Sequence, residues 1–188
     1  LEHKEQDILI IHRILKGDRL AFRELYNKYS KFYLLTCLRY VKTKEDAEDL
    51  VQESFVKIYK DLHQYDSSKS AFLSWSKRVV INTCLMFLRK KSVFNFMDDI
   101  AEMTHKFKMP SQAVENLNLQ DLTKSIQALP KGYRTVFNMY VIDGYTHAEI
   151  ADKLNISEST SKSQLFKAKK QLRINIDETE VKFVRHYV

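Results

Sequence analysis

The chain has 188 residues, with 31 Lys and Arg against 24 Asp and Glu and a formal net charge of +7, a balance that suits an anionic partner, either nucleic acid or a membrane surface. Only 3 Gly and 2 Pro leave few turns, so helices should dominate, and a glycine-rich phosphate loop or dinucleotide site is argued against. No apolar run approaches the ~20 residues that cross a bilayer, no signal peptide is evident, and neither the two Cys nor the six His have metal-ligand spacing, so neither membrane insertion nor a metal or other cofactor is expected.

Residues 6–16 repeat Ile8, Ile11 and Leu15 on one side, a short amphipathic helix. Gly17 suits its C-terminal stop and Asp18 caps the next helix, about 19–41. Phe22, Leu25, Tyr26, Tyr29, Phe32 and Tyr33 form the apolar side of that helix and are expected in the core. Cys37 and Cys84 lie in apolar, helix-like runs and read as buried free thiols in a reducing cytoplasm.

Thr43 and Asp46 predict a capping box opening a helix of about 44–63. Ala47, Leu50, Val51, Ser54, Phe55, Ile58 and Leu62 should face inward. Its first turns carry Glu45, Asp46, Glu48, Asp49 and Glu53 with Gln52. The helix dipole and capping account for acids in the first turn but not for Glu53. An exposed acidic face on a basic protein reads either as a docking surface or as a solvated face.

A polar loop, Gln64–Lys69, precedes a helix of about 70–91, with Phe72, Trp75, Val79, Leu85 and Leu88 inward. The helix carries Lys77 and Arg78 and ends in Arg89, Lys90 and Lys91. Basic residues at a helix C-terminus fit the dipole. Interleaved with Tyr65, Phe72, Trp75 and Phe87, they also fit a single-strand surface on which cations track phosphates and aromatics stack on bases.

Residues 92–116 lose helical periodicity and contain Pro110, which reads as a linker with at most one short helix. A helix of about 117–128 follows. Leu129-Pro130 then starts a strongly apolar one with Val136, Phe137, Met139, Tyr140 and Val141, which Gly144 ends.

Thr146–Arg173 reads as two helices around a tight turn. Thr146 and Glu149 form a capping box, Ile150, Ala151 and Leu154 give an apolar side, and Asn155 suits the left-handed stop. Ser157 caps the second helix, whose Ser161, Leu165, Ala168 and Leu172 should face inward. Thr160, Lys162, Ser163, Gln164, Lys167 and Lys170 remain outside. This is the layout of a helix-turn-helix, and an ordinary helical hairpin with a basic face is the plainer alternative. Residues 175–188 either continue the helix or fray. The expected fold is all-α: a domain over 6–91, a linker over 92–116, and a helix-turn-helix domain over 117–175.

Three blocks in order now resemble a known family. Asp46–Asp66 resembles region 2.2 and the start of region 2.3 of bacterial sigma factors, Ser70–Lys91 the rest of region 2.3 with region 2.4, and Leu129–Arg173 region 4.2. The spacing is that of the small two-domain, extracytoplasmic-function (ECF) group of the sigma-70 family. VVINT and STSKSQLFKAKKQL look most like Bacteroidetes-type members.

The resemblance implies a cytoplasmic transcription factor rather than an enzyme. It would bind core RNA polymerase, with the β′ coiled coil and the β flap as contacts, then recognise −10 and −35 promoter elements as duplex and single strand, and open the DNA. An anti-sigma factor is a further partner common in the group. Asp46, Glu48, Asp49, Gln52 and Glu53 match the docking surface for the β′ coiled coil, with Asp46 serving mainly as a cap. Tyr65, Asp66, Ser67, Lys69 and Ser70 match the loop that captures a base flipped from the non-template strand. Lys77, Arg78, Asn82, Arg89, Lys90 and Lys91 would grip the duplex edge and backbone. Asn82 either contacts DNA or bridges helices, and Trp75 belongs mainly to the core, with stacking on DNA as the other reading.

Thr160, Lys162, Ser163, Gln164, Lys167 and Lys170 are the −35 candidates, with Lys167 and Lys170 mostly on phosphates. Met86, Ile81, Ser76, Ser159 and Gln164 depart from the family pattern. Ser76 replaces a common bulky apolar residue, and Gln164 stands where Arg is frequent and favours an adenine-type contact. The rival reading is a dimeric helix-turn-helix regulator acting on duplex DNA without polymerase.

Overall fold

The computed structural model describes residues 2–94 and 117–175. Every regular element among them is helical. The chain divides into two compact units, with the boundary between Val93 and Phe94. Most of the expected linker, Pro110 included, and the expected tail beyond Asn175 lie outside the described residues.

The first unit begins with α1 (Glu2–Leu15) and α2 (Arg19–Tyr40). Gly17, at φ +89°, makes the left-handed stop between them that glycine favours. Asp18 caps α2 by accepting from the Leu20 and Ala21 amides at 2.9 and 3.2 Å. The Ala21 amide and the Arg13 guanidinium hold its carboxyl below the usual range.

The buried face of α1 is Asp7, Ile10, Ile11 and Ile14, so of the expected Ile8, Ile11 and Leu15 only Ile11 faces inward. Ile8 and Leu15 are exposed. An acid inside an apolar stripe hides the true period. Asp7 is tolerated there because the Tyr29 hydroxyl donates to it at 2.6 Å and the Lys28 ammonium at 2.8 Å.

On α2, Leu25, Tyr29 and Tyr33 are buried as expected, along with Ala21, Thr36, Cys37 and Tyr40. Tyr26 and Phe32 are not: they stand at the border of the core, 37% and 36% exposed. Phe22 is half-buried, edge-on to Tyr59.

Next comes α3 (Lys44–Asp61), with the Thr43 hydroxyl accepting from the Asp46 amide at 3.2 Å. All seven expected inward residues, Ala47, Leu50, Val51, Ser54, Phe55, Ile58 and Leu62, are buried. The chain then tightens into a 3-10 turn, Leu62–Gln64, instead of continuing as α-helix to His63.

The last helix of the unit is α4 (Phe72–Phe94). Phe72, Leu85 and Leu88 are buried as expected, whereas Trp75 and Val79 are only half-buried. Ser76, Val80, Ile81, Thr83 and Cys84 complete the inner side. Polar Ser76 and Thr83 bury readily because their hydroxyls donate to carbonyls one turn back, Phe72 O at 2.8 Å and Val79 O at 2.9 Å. Ser76 Oγ also receives the Tyr33 hydroxyl at 2.6 Å. Cys37 and Cys84 are buried free thiols with sulfurs 3.7 Å apart.

The second unit holds α5 (Leu117–Gln127), α6 (Lys131–Phe137), α7 (His147–Leu154) and α8 (Glu158–Asn175). Pro130 stands just before α6 as its N-cap. Beyond Phe137 the helix widens into a π-turn, Asn138–Ile142, in which Met139 is buried and Tyr140 is exposed. The apolar run is therefore not one uniformly buried helix. Gly144, at φ +76°, turns the chain toward α7. Arg134 is buried between α5 and α6, its guanidinium donating to Gln127 O at 3.0 Å.

Candidate docking and nucleic-acid surfaces

The outer side of α3 follows from its inner side. Positions three and four apart share a face, so burial of the seven apolar and small residues turns Glu48, Asp49, Gln52 and Glu53 to solvent, and all four are exposed. Asp46 is half-buried at the capped start. Glu48 pairs with Lys44 at 3.4 Å, and Glu53 with Lys57 at 2.7 Å. Lys57 also reaches Thr83 Oγ1 at 3.3 Å, which ties the acidic face to α4. Val56, 53% exposed, lies one turn beyond Gln52 and Glu53 on the same face.

The loop after α3 is fixed by its own polar groups and by aromatic packing. Asp66 accepts from the Ser68 amide at 2.9 Å and the Ser68 hydroxyl at 2.7 Å, and Lys69 Nζ lies 3.6 Å away. The Ser68 hydrogen bonds hold the Asp66 carboxyl below its usual range, so the charged form that makes this turn persists into mild acid and is lost only as pH falls through the lowered value. Tyr65 donates its hydroxyl to Ser70 O at 3.0 Å, closing the loop. Its ring stands edge-on to Phe72, centroids 5.6 Å apart, and 5.4 Å from Trp75. Burial raises the Tyr65 hydroxyl above its ordinary range. Ser67 and Ser70 are half-buried, while Asp66 and Lys69 are exposed.

Along α4, Arg78, Asn82 and Arg89 are exposed and, at separations of four and seven, share a side. Lys90 is exposed and Lys77 half-buried; the Lys91 side chain lies outside the described residues. The loop and the Arg89 end of the helix are not one pocket: seventeen residues of helix from Phe72 span about 25 Å. The basic residues form a track leading away from the loop.

In the second unit, the expected turn chemistry is present throughout. The Thr146–Glu149 capping box is complete, and Asn155 adopts φ 53° and ψ 51°. The Ile156 amide reaches back to Ala151 O at 3.0 Å, and Ser157 Oγ accepts from the Thr160 amide at 3.0 Å. Ser161, Leu165, Ala168 and Leu172 are buried. Ser161 joins the two helices by a 2.8 Å hydrogen bond to His147 Nδ1, and His147 stacks on Tyr140 with centroids 4.4 Å apart. Burial lowers the His147 pKa, which favours the neutral ring.

Thr160, Lys162, Ser163, Lys167 and Lys170 are exposed on α8. The Thr160 hydroxyl is engaged with Ser157 Oγ at 2.8 Å, and Lys162 pairs with Glu158 at 3.6 Å. Gln164 departs from its expected outward position. It is half-buried against α6, where Gly132 lacks the Cβ that would stand 3.0 Å from Gln164 Oε1. That oxygen is buried without a hydrogen-bond partner among the described residues. Phe166, 70% exposed, projects among these polar side chains.

Comparison with known proteins matches this arrangement unit by unit. The model for Sigma-70 region 2 matches residues 25–93, and the model for Sigma-70, region 4 matches residues 119–172. The chain is 31% identical over 155 residues to the ECF RNA polymerase sigma factor SigM of Bacillus subtilis, covering 82% of this chain and 94% of SigM. This chain belongs to the ECF group of the sigma-70 family.

As an ECF sigma factor it is also 29% identical over 174 residues to SigW of Bacillus subtilis, covering 87% of this chain and 92% of SigW. Among solved structures, the sigma factor RpoE of Bartonella quintana, determined with the anti-sigma factor NepR, superposes with a TM-score of 0.50 at 20% identity, covering 82% of this chain and 97% of RpoE. That likeness concerns the fold. The chain is thus an RNA polymerase sigma factor, a transcription initiation factor with two helical domains, and the dimeric-regulator alternative is not favoured. No described helix of this sigma factor is long and apolar enough to cross a membrane.

Polarity does not mark three residues on the sigma factor's surfaces. Val56 and Phe166 are apolar, although helical spacing alone puts Val56 on the acidic face and Phe166 between Ser163 and Lys170. The third is Ser68, which holds Asp66 within the loop. Asx turns with Ser two residues on are a local sequence signal that could have found it.

Proposed function

We propose that this sigma factor divides promoter recognition between its units as the resemblance implies. The exposed face of Glu48, Asp49, Gln52 and Glu53, flanked by Asp46, docks on the β′ coiled coil of core polymerase, with Val56 as an apolar contact at its C-terminal end. Charge steers the encounter and a desolvated apolar contact holds it. The second unit seats on the β flap and places α8 in the −35 major groove.

The Tyr65–Ser70 loop captures a non-template −10 base. The observation that carries this reading is the Tyr65 ring, braced edge-on by Phe72 and tied to Ser70 O while Asp66, Ser68 and Lys69 remain exposed around it. Extruding a base costs a few kcal/mol, so the receiving surface must be formed beforehand. Arg78, Asn82 and Arg89 then follow the strand backbone, with Lys77, Lys90 and Lys91 adding positive charge. Trp75 serves as a wall of the loop.

On α8, Ser163 faces base edges, Lys162, Lys167 and Lys170 face phosphates or guanine edges, and Phe166 is suited to a thymine methyl group. Thr160 acts mainly in the cap. Gln164 braces α6 in the free protein. Cytoplasmic action and an anti-sigma partner, as RpoE has in NepR, belong to the same proposal.

Run-off transcription with the purified protein, core polymerase from its host and a promoter library tests it. The expected result is initiation from promoters sharing −10 and −35 motifs. Failure to bind core, or to initiate at any promoter, would sink the reading.

A further inference from the structure

We infer that Asp7, on the first helix and outside the DNA-facing surfaces, is a positioning residue for the base-capturing loop. The inference rests on the proposed assignment of Tyr65–Ser70 to −10 capture.

Asp7 is 5% exposed, and its carboxylate has two partners on α2, the Tyr29 hydroxyl at 2.6 Å from Oδ2 and Lys28 Nζ at 2.8 Å from Oδ1. Lys28 is steadied further by Gln6 Oε1 at 3.2 Å. Tyr29 is thereby fixed at both ends, by its backbone in α2 and by its hydroxyl in α1. Its ring stacks on Tyr33 at 5.7 Å and 13°, and packs on Phe72 with centroids 5.5 Å apart. Phe72 in turn meets Tyr65 edge-on at 5.6 Å and Trp75 at 5.9 Å. Tyr65 closes the loop on Ser70 O. The chain of contact therefore runs from a buried acid, through one hydroxyl and two rings, to the wall of the loop.

Stability alone does not call for an acid at this position. An apolar residue beside Ile10, Ile11 and Ile14 would continue the core stripe without the desolvation cost of a carboxylate. The acid adds direction. A phenol held at its oxygen keeps one ring plane, whereas a phenylalanine in the same cavity is set by packing only. Phe72 has little backbone help: it is the first residue of α4, and the Tyr65–Ala71 segment before it has no regular hydrogen-bond ladder. Its ring packs on Tyr29, Trp75 and Tyr65, so holding the Tyr29 plane steadies the ring beneath Tyr65.

The test uses holoenzyme made from the full chain and core polymerase. Fork-junction DNAs carry either the intact non-template −10 strand or an abasic site at each −10 position in turn. Wild-type holoenzyme should prefer intact DNA at the captured position. In Tyr29→Phe and Asp7→Ala holoenzymes that preference should fall about fivefold, the scale of one typical net hydrogen bond. Affinity for core and for a −35 duplex should stay at the wild-type value. The double variant should lose no more than either single one, since both remove the same link.

A merely structural Asp7 would weaken binding to intact and abasic DNA equally and leave their ratio unchanged. An unchanged ratio in Tyr29→Phe, or additive losses in the double variant, overturns the inference alone. Absence of any preference in the wild type overturns the loop assignment beneath it.

Discussion

The two units of this sigma factor hold their working surfaces in opposite ways. In the second, the surface is the outer side of one regular helix, α8, which needs only a buried inner stripe and a capped start. In the first, the surface includes a loop without a hydrogen-bond ladder, held by its own Asp66–Ser68 and Tyr65–Ser70 bonds and by rings packed beneath it. Asp7 with Tyr29, and Tyr33 with Ser76, are buried oxygen pairs at 2.6 Å. In the second unit, His147 to Ser161 and Arg134 to Gln127 O tie helix to helix. A helix presents side chains to a duplex without further help, whereas a pocket for one flipped base must be fixed from below.

The contrast can be broken most forcefully at the β′ coiled-coil contact, which belongs to the first unit alone in the proposed assignment. Asp49→Lys with Glu53→Lys should lower affinity for core about a hundredfold, because like charges across an interface cost several kcal/mol. Far-ultraviolet circular dichroism should be unchanged, since both side chains are exposed. Unaltered core binding would remove the acidic face from the account.

The next effect is on the first unit's interior. Ser76→Leu restores the bulkier residue common in the family but strands the Tyr33 hydroxyl and overfills its cavity, so unfolding free energy should drop by about 2 kcal/mol. Calorimetry should show this loss in the first unit's transition only. In the second unit, Thr146→Ala removes the capping oxygen and should cost about 1 kcal/mol, read as a lower Tm for that unit. Smaller still is Lys167→Ala, which should leave sequence preference nearly intact while the salt dependence of −35 duplex binding loses about one unit of slope. A changed base preference instead would make Lys167 a base reader.

The same contrast explains what the sequence disclosed. Caps and turn residues are local, so the helix-turn-helix could be read almost residue by residue from Thr146 to Leu172. The inner side of α3 was equally plain because its period is unbroken. The faces of α1 and α4 were misjudged where a polar residue is buried by a distant partner. Asp7 meets Tyr29 across 22 positions, and Ser76 meets Tyr33 across 43. No local rule carries information over such separations. Among the surface residues, the charged ones stood out by type, whereas Val56 and Phe166 show their place only once burial of the opposite side is known. Gln164 turns inward instead of outward because its position depends on the room left by a glycine in another helix.

That room has an evolutionary consequence. Gly132 has no positive-φ requirement, so a methyl group there is limited only by the Gln164 carboxamide, the far end of a flexible side chain that can move aside. Gly132→Ala should therefore keep the fold, and even raise helix stability by up to about 1 kcal/mol, while turning the amide outward, where it can pair with an adenine edge. Binding to −35 duplexes with adenine placed at each step would detect the change. Under the proposed assignment of α8 to the −35 element, promoter preference thus lies within one methyl group of drifting, through a residue outside that helix.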